Sequence, residues 1–104
     1  MQNLDVIEKA LMSVSNNVGH YKAHKEVPPY IVWAENGATA LRSNNRTGDQ
    51  AFTGLAHLFT KTENDHLVTQ IQYAFNEAGI AWALGSVQYE DDTKYIHYTW
   101  EWEV

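Results

Sequence analysis

The segment from residue 58 to 82 constrains the fold most, because it combines a helix start signal, a helical apolar period and a stop signal. Thr62 is a typical N-cap residue, and Asp65 can reach back toward the amide of that cap. Apolar residues then recur at spacings of three and four, which predicts an amphipathic helix over residues 63–78. Its apolar stripe consists of Leu67, Ile71, Ala74, Phe75 and Ala78. Gly79 ends the helix, as a glycine in the left-handed conformation commonly does.

Strand-forming segments, residues 51–60 and 80–89, flank this helix. A helix of about 16 residues is only marginally stable alone in water, so it needs a sheet on which to bury its apolar stripe. We therefore expect a β-α-β segment whose helix lies across a sheet. Gly54 indicates a bulge or a close backbone approach, and Gly85 indicates a bulge.

The N-terminal part of the chain adds one helix and one short strand. Residues 3–15 place apolar side chains on one side and charged ones on the other, which predicts an amphipathic helix with Asn3 available as its cap. Residues 18–24 predict a short extended segment.

Two adjacent prolines, at positions 28 and 29, exclude a helix and open the next strand, over residues 30–35. This strand is expected to pair with residues 51–60 in an extended hairpin.

The C-terminal part predicts a second hairpin, residues 80–89 and 94–104, joined by a polar turn at residues 90–93. In its last strand two sets of side chains alternate from one residue to the next, which is the period of a sheet with one buried and one solvated face. The buried set is Ile96, Tyr98, Trp100, Trp102 and Val104, and the solvated set is Tyr95, His97, Thr99, Glu101 and Glu103.

These elements predict an α+β fold: an antiparallel sheet with two helices packed on it, in the order α-β-β-β-α-β-β. With 104 residues, of which 44% are hydrophobic, the chain suits one domain over residues 1–104.

Composition excludes several functional classes. The formal net charge is −6 with only 7 lysines and arginines, which argues against a nucleic-acid surface built on phosphate contacts. The chain has no cysteine, so thiol catalysis and disulfides are excluded. No run reaches the ~20 apolar residues that span a bilayer, and the first residues do not resemble a secretory signal. We therefore expect a soluble protein without a membrane partner.

Residues 36–49 predict a long loop, rich in Gly, Asn, Ser and Thr, that contains both arginines of the chain, Arg42 and Arg46. Long loops in small domains are often functional, so these arginines are candidates for contact with a subunit or partner. The alternative is an ordinary solvated loop.

The five histidines, His20, His24, His57, His66 and His97, raise the possibility of a metal site. His20 and His24 lie ~13 Å apart on an extended chain, too far to bind one ion together. A site would need His57 or His97 brought in by strand pairing. Ordinary strand and surface histidines are the favoured interpretation, so we expect no metal ligand.

The sequence gives only weak evidence for a set of catalytic residues. Glu101 and Glu103 share a strand face, but they are better explained as a charged edge that resists strand pairing. The acidic turn at residues 90–92 lacks the ligand spacing of a calcium loop. No nucleophile elbow, phosphate loop or dinucleotide fingerprint occurs. We expect no catalytic residue and no cofactor.

Four segments carry a resemblance to a known family: residues 27–33 (VPPYIVW), 58–63 (LFTKTE), 86–90 (SVQYE) and 95–98 (YIHY). Together they resemble small prophage proteins of the tail-completion, or tail-terminator, group of long-tailed bacteriophages. The resemblance extends over essentially the whole chain, and its motifs are structural rather than catalytic.

The resemblance implies a virion structural protein, not an enzyme, that forms a ring, typically of six subunits, at the head-proximal end of the tail tube. Its implied partners are further copies of itself, tail-tube proteins and head-tail connector proteins. The implied location is the virion, and the cytoplasm of the bacterial host during assembly.

Three alternatives remain open at this point. The protein could be a head-tail adaptor or a tail-tube component instead. From other classes, it could be a small ligand-binding or enzymatic α+β domain, or a protein that binds a host partner through residues 36–49.

Overall fold

The structure, a computed structural model, describes residues 4–39 and 51–104. Within these ranges the chain forms two helices and a five-stranded sheet, which confirms the α+β class. The elements are α1 (Asp5–Met12), β1 (Val18–His20), β2 (Tyr30–Thr39), β3 (Ala51–Thr60), α2 (His66–Glu77), β4 (Ala81–Glu90) and β5 (Tyr95–Glu103). Strand β2 extends to Thr39, so the prediction of a loop over residues 36–49 is wrong for its first four residues. The predicted cap Asn3 and the arginines Arg42 and Arg46 lie outside the described residues. No helix in the described ranges is long and apolar enough to cross a membrane.

The strands are arranged in the order β1-β2-β3-β5-β4. Both predicted hairpins, β2 with β3 and β4 with β5, are confirmed as antiparallel pairs, and β3 also pairs antiparallel with β5. Strands β3 and β4, on either side of α2, are therefore parallel to each other and separated by β5.

The prediction of an antiparallel sheet is wrong at one edge, because β1 pairs with β2 in the parallel sense and the sheet is mixed. After His20 the chain turns back, and it enters β2 in the direction in which β1 runs. Tyr21 begins this turn with a φ of 72°, so β1 ends well before the predicted residue 24. Side-chain alternation indicates a strand but contains no information on the direction of its partner.

Helix α2 begins later than predicted, and its cap is Asp65 rather than Thr62. The Asp65 carboxylate accepts the N–H of Leu67 at 2.9 Å, and the Thr60 hydroxyl donates to its other oxygen at 2.6 Å. Thr62 instead donates its backbone N–H to the Thr60 hydroxyl, in the turn that leaves β3. Asp is the stronger N-cap residue of the two, and the hydrogen bond from Thr60 also fixes its carboxylate to the end of β3.

The apolar stripe of α2 is confirmed. Ile71, Ala74 and Phe75 are buried, and the other two members of the predicted stripe are partly buried against them. Gly79 follows the helix with a φ of 72°, and its N–H donates to the Asn76 carbonyl at 3.1 Å, which confirms it as the helix stop.

Helix α1 contributes Ile7, Ala10 and Leu11 to the same core and is shorter than the predicted residues 3–15. The core side of the sheet supplies two buried tryptophans of β5, Trp100 and Trp102, as predicted, together with Ile31, Trp33, Ala56 and Leu58. The core thus lies on one face of the sheet, under both helices. The other face has no helix on it in the described ranges.

Gly54 is required by a close approach rather than by a bulge of its own strand. It lies opposite Trp102 of β5, and a Cβ at this position would overlap the Trp102 ring and the carbonyl oxygen of Ala34. The bulge is in the partner strand β2, next to Glu35. The predicted bulge at Gly85 in β4 is confirmed by the register shift there.

Candidate functional site

Strand β4 forms one edge of the sheet, and no strand of the described chain lies beside its outer side. The strand carries no charge from Ala81 to Tyr89. Edge strands present unpaired N–H and C=O groups, and most are protected from further pairing by charges, prolines or bulges. Of these devices β4 has only its bulge at Gly85 and a charge at its last residue. Its edge is therefore chemically open to another strand.

Three large apolar side chains of β4 are exposed on the helix side of the sheet: Leu84 at 41%, Val87 at 51% and Tyr89 at 58%. Val87 and Tyr89 line a groove of about 800 Å³ together with the charged residues Lys61, Glu63 and Lys94. A run of exposed apolar residues beside an open edge is therefore a candidate surface for contact with another protein.

The opposite edge of the sheet is only partly covered. Strand β1 pairs with residues Ile31, Val32 and Trp33 of β2 and then ends. From Asn36 to Thr39 the outer side of β2 has no strand beside it among the described residues. The sheet therefore has two open stretches, one at each edge.

A second candidate lies on the face without helices, where β3 and β5 bring two histidines together. His57 Nδ1 and His97 Nε2 are 2.8 Å apart, and the Thr99 hydroxyl is 3.3 Å from each nitrogen. Phe59 stacks on the His97 ring at a centroid distance of 4.2 Å. Glu90, at the end of β4, places a carboxylate oxygen 3.6 Å from the other nitrogen of His97.

This cluster corrects the prediction for one face of β5. His97 and Thr99, expected in solvent, are partly covered, and so is Tyr95, whose ring meets Tyr30 edge-on at 6.1 Å. Only the end of this face, at Glu101 and Glu103, is exposed as predicted.

Burial sets the electrostatics of the histidine pair. It lowers the pKa of His57, and the neighbouring His97 lowers that pKa further. Burial also lowers the pKa of His97, whereas the Glu90 carboxylate acts in the opposite direction. Both rings are therefore held in the neutral form, in which one facing nitrogen donates and the other accepts. The pair links β3 to β5.

The other predicted site residues are placed apart from this cluster. His20 bonds Glu35 at 2.7 Å and stacks on Trp33 at 3.8 Å, at the β1 edge. His24 and His66 are exposed. In the described ranges no group of three or more His, Cys, Asp or Glu side chains could hold a metal ion.

Sequence reasoning missed both candidates for different reasons. The open β4 edge had a signal, the absence of charge from residue 78 to 89, but only the strand order shows that this segment is an edge. The pairing of His57 with His97 had no signal, since it depends on the register of two strands separated by α2.

No protein-family model matches the chain, and no curated protein is similar to it at a significant level.

Proposed function

We propose that this protein is a virion structural subunit of a long-tailed bacteriophage, which assembles into a ring that completes the head-proximal end of the tail. In this proposal its partners are further copies of itself, the tail tube and the head-tail connector. It has no catalytic residue and uses no cofactor.

The observation that carries the proposal is the open edge of β4. A chain that acts alone gains nothing from an edge that is uncharged from Ala81 to Tyr89 with Leu84 and Val87 exposed beside it, because such an edge promotes association. A chain that acts as one subunit of an assembly requires such a surface. The resemblance to tail-completion proteins indicates which kind of assembly this is. It lies in residues 27–33, 58–63, 86–90 and 95–98.

The charge of the protein supports the same proposal. A ring through which DNA passes functions best when its surface does not bind phosphates, and a net charge of −6 repels them. A head-tail adaptor or a tail-tube protein has the same requirement, so these neighbouring positions in the virion are variants of the proposal.

Complementation of a phage that lacks this gene tests the proposal. A Val87→Lys, Tyr89→Lys double variant adds charge to the open edge at two exposed positions, so it is expected to fold and to fail in assembly. Electron microscopy is expected to find unjoined heads and tails, or tails of abnormal length. Tyr73→Lys is the matched control, since Tyr73 is 66% exposed on α2 and away from the edge.

The unmodified gene and the Tyr73→Lys control are expected to restore infectious particles. If the unmodified gene expressed in trans fails to change particle morphology in any way, the protein has no part in tail completion. If the Val87→Lys, Tyr89→Lys variant restores normal yield, the open edge is not the surface that assembly uses.

A small ligand-binding domain is the second candidate, favoured by the groove of about 330 Å³ that Tyr30, His57, Phe59 and His97 line with residues of the β1–β2 connection. A thermal-shift screen distinguishes the two classes, since a ligand that binds only the folded state raises the melting temperature.

A further inference from the structure

The two open stretches of the sheet lie on opposite sides of the molecule. One is the outer side of β4, and the other is the outer side of β2 from Asn36 to Thr39. Each presents backbone N–H and C=O groups without a strand partner among the described residues. A second strand is the partner that satisfies such a row of groups.

The strand directions make these two edges suitable for each other. Strand β2 is antiparallel to β3, β3 to β5, and β5 to β4, so β4 runs opposite to β2. When a second copy continues the sheet in the same orientation, its β2 meets the first copy's β4 in the antiparallel sense. This is the pairing that most of the sheet already uses.

Charge favours the same contact. Copies of a protein with a net charge of −6 repel each other, so they approach best through surfaces without charge. The β4 edge is uncharged from Ala81 to Tyr89, and the open stretch of β2, Asn-Gly-Ala-Thr, is uncharged as well.

Side chains on the helix side extend the contact beyond the backbone. Ala38 is exposed and lies opposite Phe52, which packs against the core on that side. In the continued sheet, Leu84 and Val87 of one copy lie on the same side as Ala38 and Phe52 of the next. Cross-strand pairs of apolar side chains on one face stabilise a sheet.

We propose that copies of this chain join head to tail, with the β4 edge of one copy paired to the open stretch of β2 in the next. The contact is heterologous, so a chain of copies keeps one free edge of each kind, at its two ends, until it closes into a ring. This inference rests on the proposed function, since it states how the subunits of the ring join. Pairing of β4 with β4 would instead stop at a dimer and leave both β2 stretches open.

Disulfide trapping tests the contact directly, because the natural chain has no cysteine. Ala38→Cys and Val87→Cys are prepared as separate proteins, mixed, oxidised and separated without reductant. Leu84→Cys replaces Val87→Cys in a parallel set, which allows for a shift of the pairing along the strands. All three positions are exposed, and circular dichroism verifies that each variant is folded.

The mixture of β2 and β4 variants is expected to form the cross-linked dimer at least about tenfold more efficiently than Ala38→Cys mixed with Tyr73→Cys, since pairing holds the two thiols at high effective concentration. A single chain with both Ala38→Cys and Val87→Cys is expected to give a ladder of higher oligomers.

Two results would overturn the inference. Val87→Cys or Leu84→Cys alone could give as much dimer as the mixture, which would mean that β4 pairs with β4. Alternatively, all mixtures could remain at the Tyr73→Cys background, which would mean that these edges do not meet. The outcome is separable from the proposed function, because cross-links form in purified protein without the phage, whereas complementation by the unmodified gene tests tail completion whichever edges pair.

Discussion

Phe75 provides the sharpest test of how the core is built, because α2 and the sheet meet at this side chain. Its exposed fraction is 0%, and it packs in the cluster that contains the buried tryptophans of β5. Replacing it by alanine removes the buried ring and leaves a cavity, a change that costs ~3–5 kcal/mol in protein cores. Domains of this kind are stable by only ~5–15 kcal/mol, so Phe75→Ala is expected to bring the protein close to unfolding.

The corresponding change in melting temperature follows from the size of the chain. An unfolding entropy of about 2.1 cal/mol/K per residue gives ~0.22 kcal/mol/K for 104 residues, and hence a decrease of about 14–23 °C. Chemical denaturation gives the free energy of unfolding directly. Tyr73→Ala, on the exposed side of the same helix, is the control and is expected to change stability by less than ~0.5 kcal/mol. A change that small for Phe75→Ala would refute the assignment of the apolar stripe to the core.

Four further predictions concern glycine packing, acid sensitivity, metal and the loop arginines. Gly54→Ala is expected to destabilise the protein by at least ~1–3 kcal/mol in chemical denaturation, because its Cβ overlaps the Trp102 ring and the Ala34 carbonyl; an unchanged midpoint would show that the ring can move aside. The lowered pKa values of His57 and His97 mean that, as pH falls below the ordinary value of 6.5, the unfolded state binds protons that the folded state does not. The stabilisation that comes from the neutral histidine pair is thus fully present above pH 6.5. It is lost as the pH falls toward the lower pKa values of the folded state. His57→Gln is expected to reduce this slope, and His66→Gln, at an exposed histidine, is expected to retain it. Dialysis against a strong chelator is expected to leave the melting temperature unchanged, and a decrease that zinc reverses would reveal a structural metal. Replacing Arg42 and Arg46 by alanine is expected to give a folded, soluble protein that fails to complete tails in the complementation assay, through lost pairing with acidic surfaces of adjacent subunits; normal particle yield would show that these arginines make no essential contact.

Several elements were predictable because their signals are local. The period of three and four in α2, the glycine after it and the two-residue alternation of β5 each depend on residues within a few positions of one another. Burial of Phe75, Trp100 and Trp102 agrees with those periods. The antiparallel hairpin of β4 and β5 was predictable as well, because a short polar connection can join antiparallel strands but not parallel ones.

Other features were decided by contacts between distant residues. Asp65, rather than the predicted Thr62, caps α2: Asp is the stronger N-cap residue, and Thr60, at the end of β3, donates to its carboxylate. The parallel pairing of β1 depends on how the chain returns after His20. The same face of β5 is solvated at Glu101 and covered at His97, because the neighbouring strand places Phe59 against His97.

The sequence by itself therefore determined the order and approximate positions of the helices and strands, several side chains that enter the core, and that the chain has no thiol chemistry. Among the described residues, only the tertiary structure decided that β4 is an edge, that β2 has no strand beside it beyond β1 and that His57 meets His97. The physical reason is that hydrophobic periodicity is a property of one segment, whereas strand order and register are properties of pairs of segments. They are fixed by backbone hydrogen bonds and core packing between residues far apart in the chain.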